Sequence, residues 1–155
     1  MTTALPPSWK RRGLRWFANL WGPYLLSGVQ VTRVASDFSA IDVELRLRPW
    51  NRNYVGVHFG GSLYAMADPW FMVMLTELLG PDYVVWDKAA AIRFRRPGRG
   101  TVRARFEVPP ARVDEIRRAV DAEGKVEPVF TARLEDATGE LVAEVEKVLW
   151  VRRRR

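Results

Sequence analysis

Asp68 is the residue whose surroundings most suggest chemistry. From Leu63 to Leu75 every other residue is apolar, tyrosine or proline. A carboxylate buried there without partners is costly, and apolar surroundings raise its pKa toward the range of a general base. A structural role competes. Asp68 precedes Pro69, and Asp-Pro makes a good N-cap followed by a first helical residue, so Asp68 could simply start or restart a helix. The second candidate is the run Asn53-Tyr54-Val55-Gly56-Val57-His58-Phe59-Gly60-Gly61-Ser62. Glycines just before a helix admit a ligand close to the backbone, where free first-turn N–H groups can hold a carbonyl oxygen or oxyanion. Gly60-Gly61 equally suits a tight strand-to-helix turn, and Ser62 could donate to a ligand or cap the helix. A third group, Arg95, Arg96 and Arg99, clusters at a turn and suits phosphate groups; the alternative is a solvated basic loop.

Composition narrows the chemistry. The 155 residues contain no cysteine and one histidine, His58. Thiolate nucleophiles, disulfides and His-rich metal sites are excluded, and a Ser-His-Asp triad would hang on one residue. No metal is expected. The length predicts one domain, and the 48% hydrophobic and 28% charged shares are ordinary for a globular chain. No apolar run reaches the ~18 residues of a membrane span. The net charge is +7; removing the four charges of Arg152 to Arg155 leaves +3, so part of the basicity is a C-terminal tail, expected to be solvated.

The elements that must position these residues follow from periodicity. Trp9, Gly13, Trp16, Phe17, Leu20 and Trp21 recur at helical intervals, with Lys10, Arg11, Arg12 and Arg15 mostly off that face. Pro6 and Pro7 suit the entry of this helix, over about residues 7–21, and Gly22-Pro23 its end. Its tryptophans are expected to pack on the core; a basic amphipathic helix on a membrane surface is the alternative. Ile41, Val43, Leu45 and Leu47 alternate with Asp42, Glu44, Arg46 and Arg48, a strand with one buried and one wet face. Similar alternation runs through Ala90–Phe94, Val102–Val108 and Phe130–Leu134, and a less regular strand spans Leu141–Val151. A charged helix covers about Arg112–Ala122. Val29 and Val31 open a first strand ahead of these, and between the second and third strands Gly60 to Leu79 reads as a helix that is apolar all round, hence buried. The expected architecture is α+β: five or six antiparallel strands curled around one long central helix, with an extra N-terminal helix, a core of about residues 27–151 and a basic tail at 152–155.

In this order the residues resemble a known family. Asn53, Gly56, Gly60, Gly61 and Asp68, then Phe94-Arg95-Arg96-Pro97 with Gly100, then Asp136 and Gly139-Glu140-Leu141-Val142-Ala143, are similar to the motifs of hotdog-fold acyl-CoA thioesterases of the phenylacetate-pathway type. The resemblance implies the hotdog fold, a homodimer (or dimer of dimers) with a continuous sheet, and hydrolysis of acyl-CoA or acyl-carrier-protein thioesters. It implies that the thioester carbonyl rests on N–H groups of Gly60 and Gly61, that Asn53 orients the site, and that Asp68 acts as nucleophile or general base. Arg95, Arg96 and Arg99 would meet the phosphates of coenzyme A, which enters as part of the substrate; no cofactor is implied. The family has His-Gly-Gly, and here Phe59 stands in the histidine position with His58 one place earlier. A one-residue shift in extended chain turns a side chain to the opposite face. Gly61 and Asp68 would lie about 10 Å apart along a continuous helix, too far for one acyl carbon to touch both, so composite sites shared by two subunits are expected. A non-catalytic acyl-CoA- or lipid-binding hotdog with a degenerate site is the alternative. Nucleic acid is not an expected partner, and the cytoplasm is the expected location.

Overall fold

The computed structural model describes residues 8–154. Pro6, Pro7 and Arg155, and the side chains of Trp9 and Arg11, lie outside what is described. Two helices, α1 (Ser8–Leu20) and α2 (Gly22–Ser27), lead into β1 (Val29–Val34) and β2 (Ala40–Arg46). After a long loop come α3 (Gly60–Ala65) and α4 (Trp70–Leu79), then β3 (Tyr83–Phe94), β4 (Thr101–Glu107) and α5 (Pro110–Glu123). The chain closes with β5 (Lys125–Val126), β6 (Val129–Glu135) and β7 (Leu141–Arg153). All pairings are antiparallel, in the order β1-β2-β4-β6-β7-β3, with the two-residue β5 added beside β7. Six principal strands therefore form the sheet, as the alternation suggests.

Alternation decides which side of each strand is wet. Ile41, Val43 and Leu45 of β2, Val102, Ala104 and Phe106 of β4, and Ala132 and Leu134 of β6 are buried. The intervening Asp42, Glu44, Arg103 and Arg105 make ion pairs on the outer face. Trp70, Phe71, Met74 and Leu75 of α4 fill the concave side, where Phe71 stacks on Phe130 with centroids 4.8 Å apart and meets Phe106 edge-on at 5.4 Å. These side chains belong to the core.

Four features depart from the sequence reading. First, the central helix is interrupted between Ala65 and Trp70. Pro69 lacks an N–H and clashes with the preceding turn, so the helix cannot run through it. Second, Gly22-Pro23 opens a second helix as well as closing the first, with proline in its first turn. Third, the arginines at 152 and 153 are the end of β7. Arg153 pairs with Asp121 at 2.8 Å and lies over the Tyr83 ring, and the Arg154 N–H donates to the Asp82 carbonyl. Fourth, the apolar face of α1 is not in the core. Trp16, Phe17, Leu20 and Trp21 are exposed, and the helix docks instead through Leu14, Ala18 and Asn19.

Candidate functional site

The interruption of the central helix gives Asp68 its setting. Its side chain is about half exposed, so the break brings the carboxylate out of the apolar core. It does not cap α4: Pro69 occupies that position and no side chain bonds there. Instead the Tyr64 hydroxyl, one helical turn earlier, donates to Asp68 Oδ1 at 2.7 Å, and Lys147 Nζ donates to the same oxygen at 2.9 Å. Lys147 projects from the middle of β7, is 1% exposed, and also pairs with Asp87 Oδ1 at 3.1 Å. Its ammonium lies 5.7 Å from the Tyr64 ring centroid. Asp87 reaches Lys147 because β3 bulges between Asp87 and Ala89, and a bulge re-aims a side chain.

This cluster is internally compensated. Burial alone would push the Lys147 pKa down, but hydrogen bonds and charge from Asp68 and Asp87 outweigh it and leave the pKa raised, so the ammonium is charged. Burial lifts the Asp87 carboxyl above its ordinary range, opposed by Lys147. Burial and the bond to Asp68 both raise the Tyr64 phenol, so it donates its proton.

The second locus is the start of α3. Phe59 precedes the helix with extended backbone, and its carbonyl accepts from the N–H groups of Ser62 and Leu63. The first N–H groups of a helix have no partner within it, and here they belong to Gly60 and Gly61. Two exposed aromatic rings crowd them. A Cβ on Gly60 would meet Phe94 Cζ at 2.9 Å, and one on Gly61 would overlap the Phe59 ring, which explains glycine at both positions. Ser62 is buried beneath, and no side chain caps the helix.

Asn53 organises the loop before this helix. Its Oδ1 accepts from the Val55 and Val57 N–H groups, both at 3.1 Å, and its Nδ2 donates to the His58 carbonyl at 3.4 Å. His58 is 2% exposed and its Nε2–H donates to the Gly100 carbonyl at 2.9 Å. Nδ1 has no partner, and burial lowers the ring's pKa despite the Gly100 bond, so the imidazole is neutral. Together with the His58 N–H bond to the Gly98 carbonyl, it latches the loop to the β3–β4 turn. Arg96 pairs with Asp136 at 2.9 Å and with Glu140, tying that turn to the β6–β7 hairpin, and Arg95 pairs with Glu144 at 3.5 Å. Arg99 is exposed on the turn.

Asn53, His58, Gly60, Phe94, Arg95 and Arg96 line one open groove of about 400 Å³. The groove thus gathers Asn53, His58, Gly60, Arg95 and Arg96 among the sequence candidates, whereas Phe59, Gly61, Ser62, Asp68 and Arg99 are not part of its lining. Lys147, Asp87 and the hydroxyl of Tyr64 were not evident as site residues in the sequence. A signal existed for Lys147: it shares parity with the inward-facing Val145, Leu149 and Val151. Among the described residues no group of three or more His, Asp or Glu side chains could hold a metal ion.

Comparison with known proteins follows the same outline. Residues 10–151 match the family model DUF4442, a domain of unknown function. The chain belongs to this family. No curated protein matches the sequence. Among solved structures, a Pseudomonas aeruginosa protein of unknown function, named a probable thioesterase, superimposes with a TM-score of 0.82 at 20% identity, covering 98% of this chain and 100% of that one. A thioesterase from Haemophilus influenzae gives 0.69 at 14% identity, covering 97% and 96%. The PaaI protein of the E. coli phenylacetic acid degradation operon gives 0.63 at 17%, covering 95% and 93%. The DUF4442 chain therefore has the hotdog fold of thioesterase-like proteins.

Proposed function

We propose that the protein hydrolyses acyl-CoA or acyl-carrier-protein thioesters at a site completed by a second copy of the chain. The observation that carries this reading is Asp68: a half-exposed carboxylate in an otherwise apolar helix, brought out by a helix break and oriented through Oδ1. Asp68 takes a proton from water as the water oxygen attacks the thioester carbonyl carbon. The N–H groups of Gly60 and Gly61 receive the oxyanion; collapse of the adduct breaks the C–S bond, and the proton held by Asp68 passes to the departing thiolate, releasing the thiol and the acid and restoring the carboxylate. Direct attack by the carboxylate, through an anhydride that water then opens, uses the same residues. Asn53 and His58 hold the loop that carries the two glycines. Arg99, with Arg95 at its side, offers charge to the coenzyme A phosphates, whereas Arg96 is held by two carboxylates.

Two features support a shared site. The groove at the start of α3 does not include Asp68, so acid and oxyanion pocket are separate within one chain. Asp68 is linked through Lys147 to Asp87 on β3, and β3 is the strand at the end of the sheet. A second β3 aligned there would bring another α3 toward Asp68. A non-catalytic acyl-binding role is favoured by one observation, the Phe59 ring, in place of the family's histidine, packed against Gly61.

The test is thioester hydrolysis across short, long and aromatic acyl-CoAs, with Asp68→Asn beside the wild type. Turnover should fall by at least roughly 10²-fold in the variant, the scale of a lost general base, with its thermal midpoint retained. Full turnover in Asp68→Asn removes Asp68 from the mechanism. Absence of turnover with every substrate, alongside measurable acyl-CoA binding, selects the non-catalytic role.

A further inference from the structure

The N-terminal helix lies against the domain with its polar side inward. Asn19 Oδ1 accepts from the Val31 N–H at 2.7 Å, Asn19 Nδ2 donates to the Val31 carbonyl at 3.2 Å, and Arg15 Nη1 reaches the Thr32 carbonyl at 3.4 Å. Among the described side chains of α1, Ala18 is buried and Leu14 and Asn19 are partly so. The opposite side carries Trp16 at 61% exposure, Phe17 at 68% and Leu20 at 63%, and Trp21, Leu25 and Leu26 continue it across α2 at 45%, 58% and 73%. An amphipathic helix normally buries its apolar stripe. Six large apolar side chains left outward on consecutive helices mark a surface that something covers.

Charge identifies what covers it. The sequence has no Asp or Glu before Asp37, while Lys10, Arg11, Arg12, Arg15 and Arg33 fall in that stretch. At the C-terminal end of α2, Asn51 Nδ2 bonds the Ser27 carbonyl at 2.7 Å and fixes a loop that exposes Arg48, Trp50 and Arg52. Lys10 pairs with Glu77 and Arg33 with Asp42, and Arg15 reaches a backbone carbonyl. The basic rim beside the aromatic and leucine side chains therefore rests on the exposed Arg48 and Arg52, cations next to an apolar face as in a helix lying in a lipid headgroup interface. A second copy docked face to face would set this basic rim against itself, since a two-fold contact pairs identical patches. Among the described residues no helix is long and apolar enough to cross a membrane, and the contact proposed is a peripheral one. We propose that α1 and α2 form a docking face for an anionic lipid surface.

This inference stands independently of the thioesterase reading. The test is co-sedimentation of the full-length protein with phosphatidylcholine vesicles, with and without phosphatidylglycerol, at low and high salt. The variant Trp16→Ser/Leu20→Ser/Leu26→Ser alters exposed positions only, and its thermal midpoint should match the wild type. Wild type should partition onto phosphatidylglycerol vesicles, less at high salt, and the variant at least roughly tenfold less, given that burying one leucine alone is worth about that factor. Hydrolysis of a soluble short-chain acyl-CoA should be the same in both proteins. The proposal is overturned if the wild type stays in the supernatant with both vesicles, or if the variant binds as well as the wild type. A fall in oligomer size in the variant, without vesicle binding by the wild type, would assign the face to a second copy and overturn it as well.

Discussion

The two edges of the sheet are treated differently. At β1, side chains close the edge: Asn19 satisfies both backbone groups of Val31 and Arg15 takes the Thr32 carbonyl. At β3, every residue from Trp86 to Phe94 except Ile92 is exposed, and the strand pairs with β7 alone. An exposed strand edge invites pairing with another chain, and proteins usually block it. Here one edge is blocked by a helix set inside out, and the other carries the connection to the candidate carboxylate. The contrast closes the sheet at β1 and leaves β3 as the edge open to the second copy proposed above.

The largest expected effect comes from loosening the β3 end. Lys147 holds Asp87 of β3 and Asp68 of the helix break together. Removing one partner of a buried ion pair strands the other charges. Lys147→Met should cost about 3 kcal/mol, at the low end of that range because both carboxylates retain access to water. Chemical denaturation measures it; a variant as stable as the wild type would show the ammonium to be expendable.

Breaking the edge itself comes next. Trp86 and Phe94 sit on exposed β3 at 62% and 54%. Trp86→Glu/Phe94→Glu places like charges where two β3 strands would meet, and cross-strand like charges are destabilising. Sedimentation velocity should show the dimer weakened at least tenfold, about 1.4 kcal/mol, with thioester turnover falling in parallel if the sites are composite. An unchanged sedimentation coefficient would end the idea that β3 is the interface.

Opening the closed edge is a smaller perturbation. Asn19→Ala leaves the Val31 N–H and carbonyl to water, a loss of about 1 kcal/mol. The thermal midpoint should drop by a few degrees, while the dimer persists. Dissociation of the dimer by this variant would mean that the two edges are not separate.

Much of this was legible before the structure. Strict alternation in β2, β4 and β6 fixes which residues face the core, and the apolar run from Leu63 to Leu75 marks the buried helical segment but not its break before Trp70. Burial is what periodicity reports. It fails where the neighbour of a surface is another molecule. The stripe Trp16-Phe17-Leu20-Trp21 reads as core-facing because apolar faces usually are, yet the domain offers α1 a strand edge, whose backbone groups call for Asn19. The Asp68 cluster eluded the sequence for a related reason. Its members come from α3, the helix break, β3 and β7, and only the sheet register brings Asp87 and Lys147 together. His58, by contrast, could be placed as a single histidine but not oriented, because its partner Gly100 lies 42 residues away.

That histidine supports the smallest prediction, at the end of the β3 edge where the chain turns. Burial lowers its pKa in the folded state, while in the unfolded chain it titrates near about 6.5. On acidification the unfolded state therefore binds the proton first. The stability tied to neutral His58 is fully present above about pH 6.5 and is lost as pH falls toward the folded value. The carboxylates with lowered pKa values, Asp37, Glu44 and Asp136, lose their contributions only below their unfolded values, near about pH 4. Asp87, whose carboxyl burial lifts, contributes a slope of the opposite sign that the wild type and a His58 variant share. The difference between the two proteins from about pH 7 to about pH 5 therefore reports the histidine. Denaturant midpoints for the wild type should decline across this window relative to those for His58→Gln, which keeps a donor toward Gly100 but cannot titrate. Equal slopes in both proteins would mean that the latch between the Asn53 loop and the β3–β4 turn opens without the imidazole being charged, and that the turn beside the open edge is held by its backbone bonds alone.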